Sequence, residues 1–180
     1  SDSLTLSVNN IDHFKLSSVN SSLFIGEDAG NALDNDDEYN VVIGALAMRD
    51  VLDSEYNVAI GYRALENGVD IGNSNVAVGY ASALNSQGIA LTAVGERAGE
   101  DQNGDYNTLL GSGAGIGLSG DWNIAIGQSA GSGSEGYGGI YIGDIAGAGS
   151  AGEEVAFVGA YSGGKLSDGD YTSAFGAGSL

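Results

Sequence analysis

The chain has no cysteine and no proline, and only one histidine, one methionine, one tryptophan and five lysines and arginines among its 180 residues. Without cysteine there are no disulfides and no thiolate metal sites. Five bases against 24 acids leave a formal charge of −19, which argues against binding nucleic acid or an anionic membrane by simple electrostatics. No apolar run approaches the roughly 20 residues needed to span a bilayer, and Ser1 does not open a basic-then-apolar signal peptide. The lone His13, beside Phe14, reads as structural. There is no histidine pair, no nucleophile motif and no glycine loop in a strand-to-helix context. The acids are spread evenly instead of gathering in one cleft, so the chain is expected not to be an enzyme.

Glycine is abundant, at 32 residues, but it shows no collagen triplet. Its register is long. Taking the glycine of Asn57-Val58-Ala59-Ile60-Gly61 as an anchor, ten copies appear at Gly26, Gly44, Gly61, Gly79, Gly95, Gly111, Gly127, Gly143, Gly159 and Gly176, spaced 18, 17, 18, 16, 16, 16, 16, 16 and 17 residues apart. A fixed short period means units that bury their apolar face only by stacking. The expectation is an all-β fold: a parallel β-solenoid, or β-roll, of about ten coils with 16–18 residues each. Two regions follow. Residues 1–21 form an N-terminal strand and cap, in which Leu4, Leu6 and Val8 alternate with polar residues, and 22–180 form the solenoid.

Within a repeat, the residue before the anchor (Ile25, Ile43, Ile60, Val78 and their equivalents) and the residue two positions earlier (Leu23, Val41, Val58, Val76 and so on) are mostly β-branched. Side chains in a strand alternate faces, so these two columns share a face, which is expected to be the core. The column between them (Phe24, Val42, Ala59, Ala77, Ala93) is apolar as well and is expected to face a partner. On that assignment Ile60→Asp or Ile126→Asp abolishes folding, while Glu66→Ala does little. The third residue past each anchor is always small, and the fourth is often glycine. Small residues at a fixed phase imply close backbone approach, across a flattened coil or between chains.

The intervening segments carry turn chemistry, as in Asn103-Gly104-Asp105-Tyr106-Asn107 and Ser119-Gly120-Asp121-Trp122-Asn123. Asn40, Asn57, Asn75, Asn107 and Asn123 share one phase and are expected to stack as an amide ladder, with Tyr39, Tyr56, Tyr106, Trp122 and Tyr171 as a broken aromatic stack beside it. Acids occupy the same corners. Stacked like charges repel unless they are screened or bridged, and calcium prefers carboxylate and carbonyl oxygens. That ion is therefore a possible cofactor at Asp36, Asp37, Glu38, Asp105, Asp121 and Asp170, the alternative being a solvated acidic face.

Asn-Val-Ala-Ile-Gly followed by a small residue, as in residues 57–64 and its relatives at 75–79 and 123–130, resembles the head repeats of trimeric autotransporter adhesins and similar repeats in phage tail fibres. The resemblance covers residues 22–180, although the adhesin repeat is typically shorter. It implies a parallel β-roll whose chains pack side by side as a homotrimer. The expected function is a structural or adhesive fibre subunit, extracellular on a cell surface or in a virion fibre, forming a stiff self-associating rod. Its expected partners are its own copies, with a surface receptor or glycan as a further candidate, and neither nucleic acid nor membrane insertion. End-to-end association into a filament, with the N-terminal segment of one chain covering the last coil of the next, is a further expectation. The alternative is a monomeric extracellular calcium- or glycan-binding module that uses the middle column as its binding face.

Overall fold

A computed structural model describes residues 4–8, 11–16, 21–33, 37–67, 72–164, 166 and 170–179. Among them there is no helix, and twelve strands form one sheet in sequence order. Strands β3 (Leu23–Ile25) to β12 (Ser173–Phe175) are three residues each and pair in parallel, in register, one per coil. The fold is the β-solenoid that the period implies. In front of it, β1 (Leu4–Val8) and β2 (Ile11–Leu16) make an antiparallel hairpin whose second strand pairs antiparallel with β3.

The phase of the core is the reverse of the sequence expectation. The middle column is the buried one: Phe24, Val42, Ala59, Ala77, Ala93, Leu109, Ala125, Tyr141, Phe157 and Ala174 are each at most 5% exposed. The flanking columns are half-buried or exposed in every strand. Alternation fixes only which residues share a face. β-Branching, used to choose the inner face, favours a strand whichever way the side chain points. The hairpin shows the same reversal, since Leu4 and Leu6 are 57% and 60% exposed. By register, Leu6 and Phe14 continue the outward column of Ile25. On the inner side Lys15 pairs with Phe24, and its ammonium lies 5.3 Å from the ring centroid. A single side chain thereby closes the first core layer with its stem and a cation–π contact.

The wall opposite the strands explains why the core can be so thin. Past each anchor the chain alternates right- and left-handed residues, so that Arg63, Leu65 and Asn67, or Ala81, Ala83 and Asn85, all have φ between 51° and 60°. A left-handed non-glycine costs on the order of 1–2 kcal/mol. The cost is offset by bonds between coils, as in Met48 N–H to Ala64 O and Leu65 N–H to Ser82 O, both 2.9 Å. The fourth position past the anchor faces the middle of the strand, and where the strand residue is leucine or aromatic the fourth position is glycine. Phe24, Leu109, Tyr141 and Phe157 face Gly30, Gly115, Gly147 and Gly163, whereas Ala59 faces Leu65 and Val42 faces Met48. A Cβ on Gly163 would lie 2.2 Å from the Phe157 ring. These glycines make room for a large side chain across the coil, which keeps the interior close-packed.

The anchors serve another end. A Cβ on Gly61 would lie 2.2 Å from the carbonyl oxygen of Gly79, and the contact repeats from coil to coil. Backbone stacks on backbone there, at a φ near +138° that only glycine adopts without strain.

Candidate functional site

The ten parallel strands turn two columns of side chains outward. These are Leu23 and Ile25, Val41 and Ile43, Val58 and Ile60, Val76 and Val78, Thr92 and Val94, Thr108 and Leu110, Ile124 and Ile126, Ile140 and Ile142, Ala156 and Val158, and Ser173 and Phe175. None is charged, in a chain of formal charge −19. Nine steps of about 4.8 Å make the face roughly 43 Å long. With a width of about 10 Å, its flat area reaches the few hundred Å² at which a contiguous apolar patch marks an interaction site. Leu110, Ile124, Ile126, Ile140, Ile142 and Phe175 are each at least 36% exposed.

The corners hold the polar columns. Asn40, Asn57, Asn75, Asn107 and Asn123 are at most 1% exposed. The Oδ1 atoms of Asn40 and Asn57 accept the N–H of Asn57 and Asn75, one coil further on, at 2.9 and 2.8 Å. Where the next coil has no asparagine, the bond is still made: Asn75 Oδ1 accepts from Leu91 N–H and Asn123 Oδ1 from Gly139 N–H, both at 2.8 Å. Two columns away the direction reverses. Asp105 Oδ1 accepts the N–H of Ile89, Asp121 Oδ1 that of Asp105, Asn73 Oδ1 that of Glu55, and Asp170 Oδ1 that of Glu153, each in the coil before. Asp37, 3% exposed, uses Oδ1 to accept the N–H of Ser54.

The residues read from sequence as a calcium set therefore do not converge. Asp36 lies outside the described residues. Asp37 and Glu38 sit at one corner near the first coils, Asp105 and Asp121 are in adjacent coils, and Asp170 lies three coils beyond Asp121. Among the described residues no three His, Cys, Asp or Glu side chains gather as metal ligands. Asp37, Asp105, Asp121 and Asp170 do lie at corners, but the backbone amide that each of these four serves becomes visible only in three dimensions.

Glu66 departs from expectation. It is 1% exposed, held between Arg63 at Oε2 and Arg49 at Oε1, the latter at 2.7 Å. Both guanidiniums titrate above their usual value, Arg63 chiefly through its hydrogen bond to Glu66 and Arg49 chiefly through its bond to Asp50. The arginines, which look scattered in sequence, lie in adjacent coils and meet over one carboxylate.

Aromatic rings stand outside the corner, in left-handed residues one position before the asparagine column. Tyr39 stacks on Tyr56 and Tyr106 on Trp122, in both cases with centroids 5.0 Å apart and planes within 9°. Between these two stacks the same left-handed position holds Ser74 and Ala90. A groove of about 430 Å³ opens there, lined by Tyr106, Ser74, Ala90, Ile89, Asn73, Gly72 and Asp53.

No family model matches the chain, and no curated protein or solved structure matches it either. No helix among the described residues is long and apolar enough to cross a membrane.

Proposed function

We propose that this chain is a structural, adhesive subunit of an extracellular fibre, a stiff solenoid rod that associates side by side with copies of itself. The observation that carries the reading is the uncharged outward sheet face. Its large β-branched residues occupy the solvent side while alanines fill much of the core, an inversion that makes sense where a second sheet covers the face. Regular 4.8 Å spacing gives every copy the same ridged surface, so like sheets interdigitate along the whole rod. Outside the N-terminal hairpin, the charged side chains of the described residues lie in the turns and corners, where they keep the rim solvated. The likeness of residues 57–64 to adhesin head repeats agrees with this reading and with a location on a cell surface or virion fibre.

Solution mass with outward-face variants provides the test. The parent is expected to sediment as an oligomer. Ile60→Asp combined with Ile126→Asp, both in the outward columns, is expected to give a monomer that retains the β-sheet circular dichroism of the parent. A parent that stays monomeric at every concentration, or a double variant that still associates, would overturn the proposal.

A further inference from the structure

We propose that the groove between the two aromatic stacks is a binding site for a neutral pyranose sugar. The column from Tyr39 to Trp122 is continuous in backbone: Tyr39, Tyr56, Ser74, Ala90, Tyr106 and Trp122 all have φ between 54° and 67°. Its side chains are not continuous. Where rings are present they stack face to face at 5.0 Å, nearly one coil step, so the ring planes lie across the rod axis. At Ser74 and Ala90 two rings are missing, and the facing rings of Tyr56 and Tyr106 are three coil steps apart, about 14 Å at about 4.8 Å per step. Allowing for ring thickness, the slot leaves about 11 Å of clear length, enough for one or two sugar rings. Its volume of about 430 Å³ is at the lower end for a small-molecule site.

The lining defines the ligand chemistry. Tyr106 is 44% exposed and supplies an aromatic face, and Ile89, 37% exposed, an apolar floor. Three polar groups border them with no hydrogen-bond partner among the described residues: the Asp53 carboxylate, the Ser74 hydroxyl and the Asn73 amide nitrogen, whose own Oδ1 is taken by Glu55 N–H. An acceptor, a donor-acceptor and a donor beside an aromatic face suit a ring with one C–H face and a rim of hydroxyls. Among the described residues no lysine or arginine lines the groove, and Asp53 together with the chain's net charge of −19 repels anions, which sets nucleotides, sulfated sugars and uronates aside. The groove lies at a corner, not on the sheet face, so it stands whether or not the chain associates.

The protein carries its own reporter, because the single tryptophan, Trp122, stacks on the far side of Tyr106. The experiment titrates the full chain with the methyl pyranosides of glucose, galactose, mannose and N-acetylglucosamine, their β-linked disaccharides and methyl glucuronide, following Trp122 fluorescence and calorimetric heat. At least one neutral sugar is expected to give saturable binding, weakened about tenfold or more by Ala90→Tyr, which fills the slot as Tyr56 fills its own coil. Tyr62→Ala, in the separate Tyr62–Tyr80 stack, is expected to leave it unchanged. Failure of every neutral sugar to bind, equal binding by Ala90→Tyr, or methyl glucuronide binding as tightly as the glucoside would overturn the proposal.

Discussion

Asn57 Oδ1 accepts the backbone N–H of Asn75 at 2.8 Å while the Asn57 amide nitrogen donates to Ser54 Oγ at 2.8 Å. One fully buried side chain thus serves its own corner and the coil that follows. Replacing it with alanine leaves the Asn75 N–H and the Ser54 hydroxyl without these partners in a dry site. At about 1–3 kcal/mol for each group left unsatisfied, Asn57→Ala is expected to destabilise by about 3 kcal/mol in urea denaturation. A loss below about 0.5 kcal/mol, the range of an ordinary surface substitution, would mean that water replaces the ladder.

Two glycine substitutions that look alike in sequence should differ sharply. Gly61→Ala drives a methyl to 2.2 Å from the Gly79 carbonyl oxygen at φ +138° and is expected to prevent folding, read as loss of the cooperative melt. Gly133 has φ +65° with nothing within 4 Å of its Cβ position. The same phase holds Asn67, Asn85 and Asp101 in the left-handed region, so Gly133→Asn is expected to fold with a stability within about 0.5 kcal/mol of the parent.

The exchange of volume across the coil is testable by a swap. Gly163→Leu alone places a side chain into the Phe157 ring and is expected to destabilise by about 3 kcal/mol or more. Phe157→Ala alone opens a cavity at a cost of about 3–5 kcal/mol. The double variant rebuilds the Ala59 and Leu65 arrangement of an earlier coil, and a double-mutant cycle is expected to show a favourable coupling of about 1–3 kcal/mol. Additive losses would deny that the two positions share one space.

Glu66 separates pairing from charge. Glu66→Ala takes away the partner of Arg63 but leaves Arg49 its bond to Asp50, and both guanidiniums are about one-third exposed, so the expected cost is about 1–2 kcal/mol after screening. Removing both arginines, as Arg49→Met with Arg63→Met, strands a carboxylate that is 1% exposed and is expected to cost about 3–5 kcal/mol. Chemical denaturation gives the order, which would be reversed if the arginines mattered mainly as packing.

Alkaline pH should find Tyr141. Burial raises its phenol above the usual value of 10.0, partly opposed by hydrogen bonds from Ser150 and Ser134. A raised folded pKa means that its contribution is fully present below the unfolded pKa of about 10, and is lost as pH climbs from there through the folded value. Thermal melts from about pH 8 to about pH 11 are expected to fall more steeply for the parent than for Tyr141→Phe; parallel curves would contradict it.

The period of the anchors determined the fold class. Ten glycines at 16–18 residues leave stacked coils as the arrangement in which short strands find partners, and a register that repeats in sequence repeats in space. The asparagine column was legible for the same reason, since residues of one phase stack and an amide can bond along the stack. Which face of the strand is the core was decided only by the tertiary structure. Val58, Ala59 and Ile60 alternate identically under either assignment, and the choice rests on what stands opposite: the left-handed wall with Leu65 in place of glycine. Later coils write that wall as glycine, at Gly113, Gly115 and Gly117 for example, but in the earlier coils Arg63, Leu65 and Ala83 are not residues that prefer positive φ and are held there by bonds from neighbouring coils. The meeting of Arg49, Arg63 and Glu66, and the slot left by Ser74 and Ala90 between Tyr56 and Tyr106, likewise exist only once the coils are stacked. Proximity between coils depends on the stacking geometry, which brings residues 17 or 18 positions apart within bonding distance.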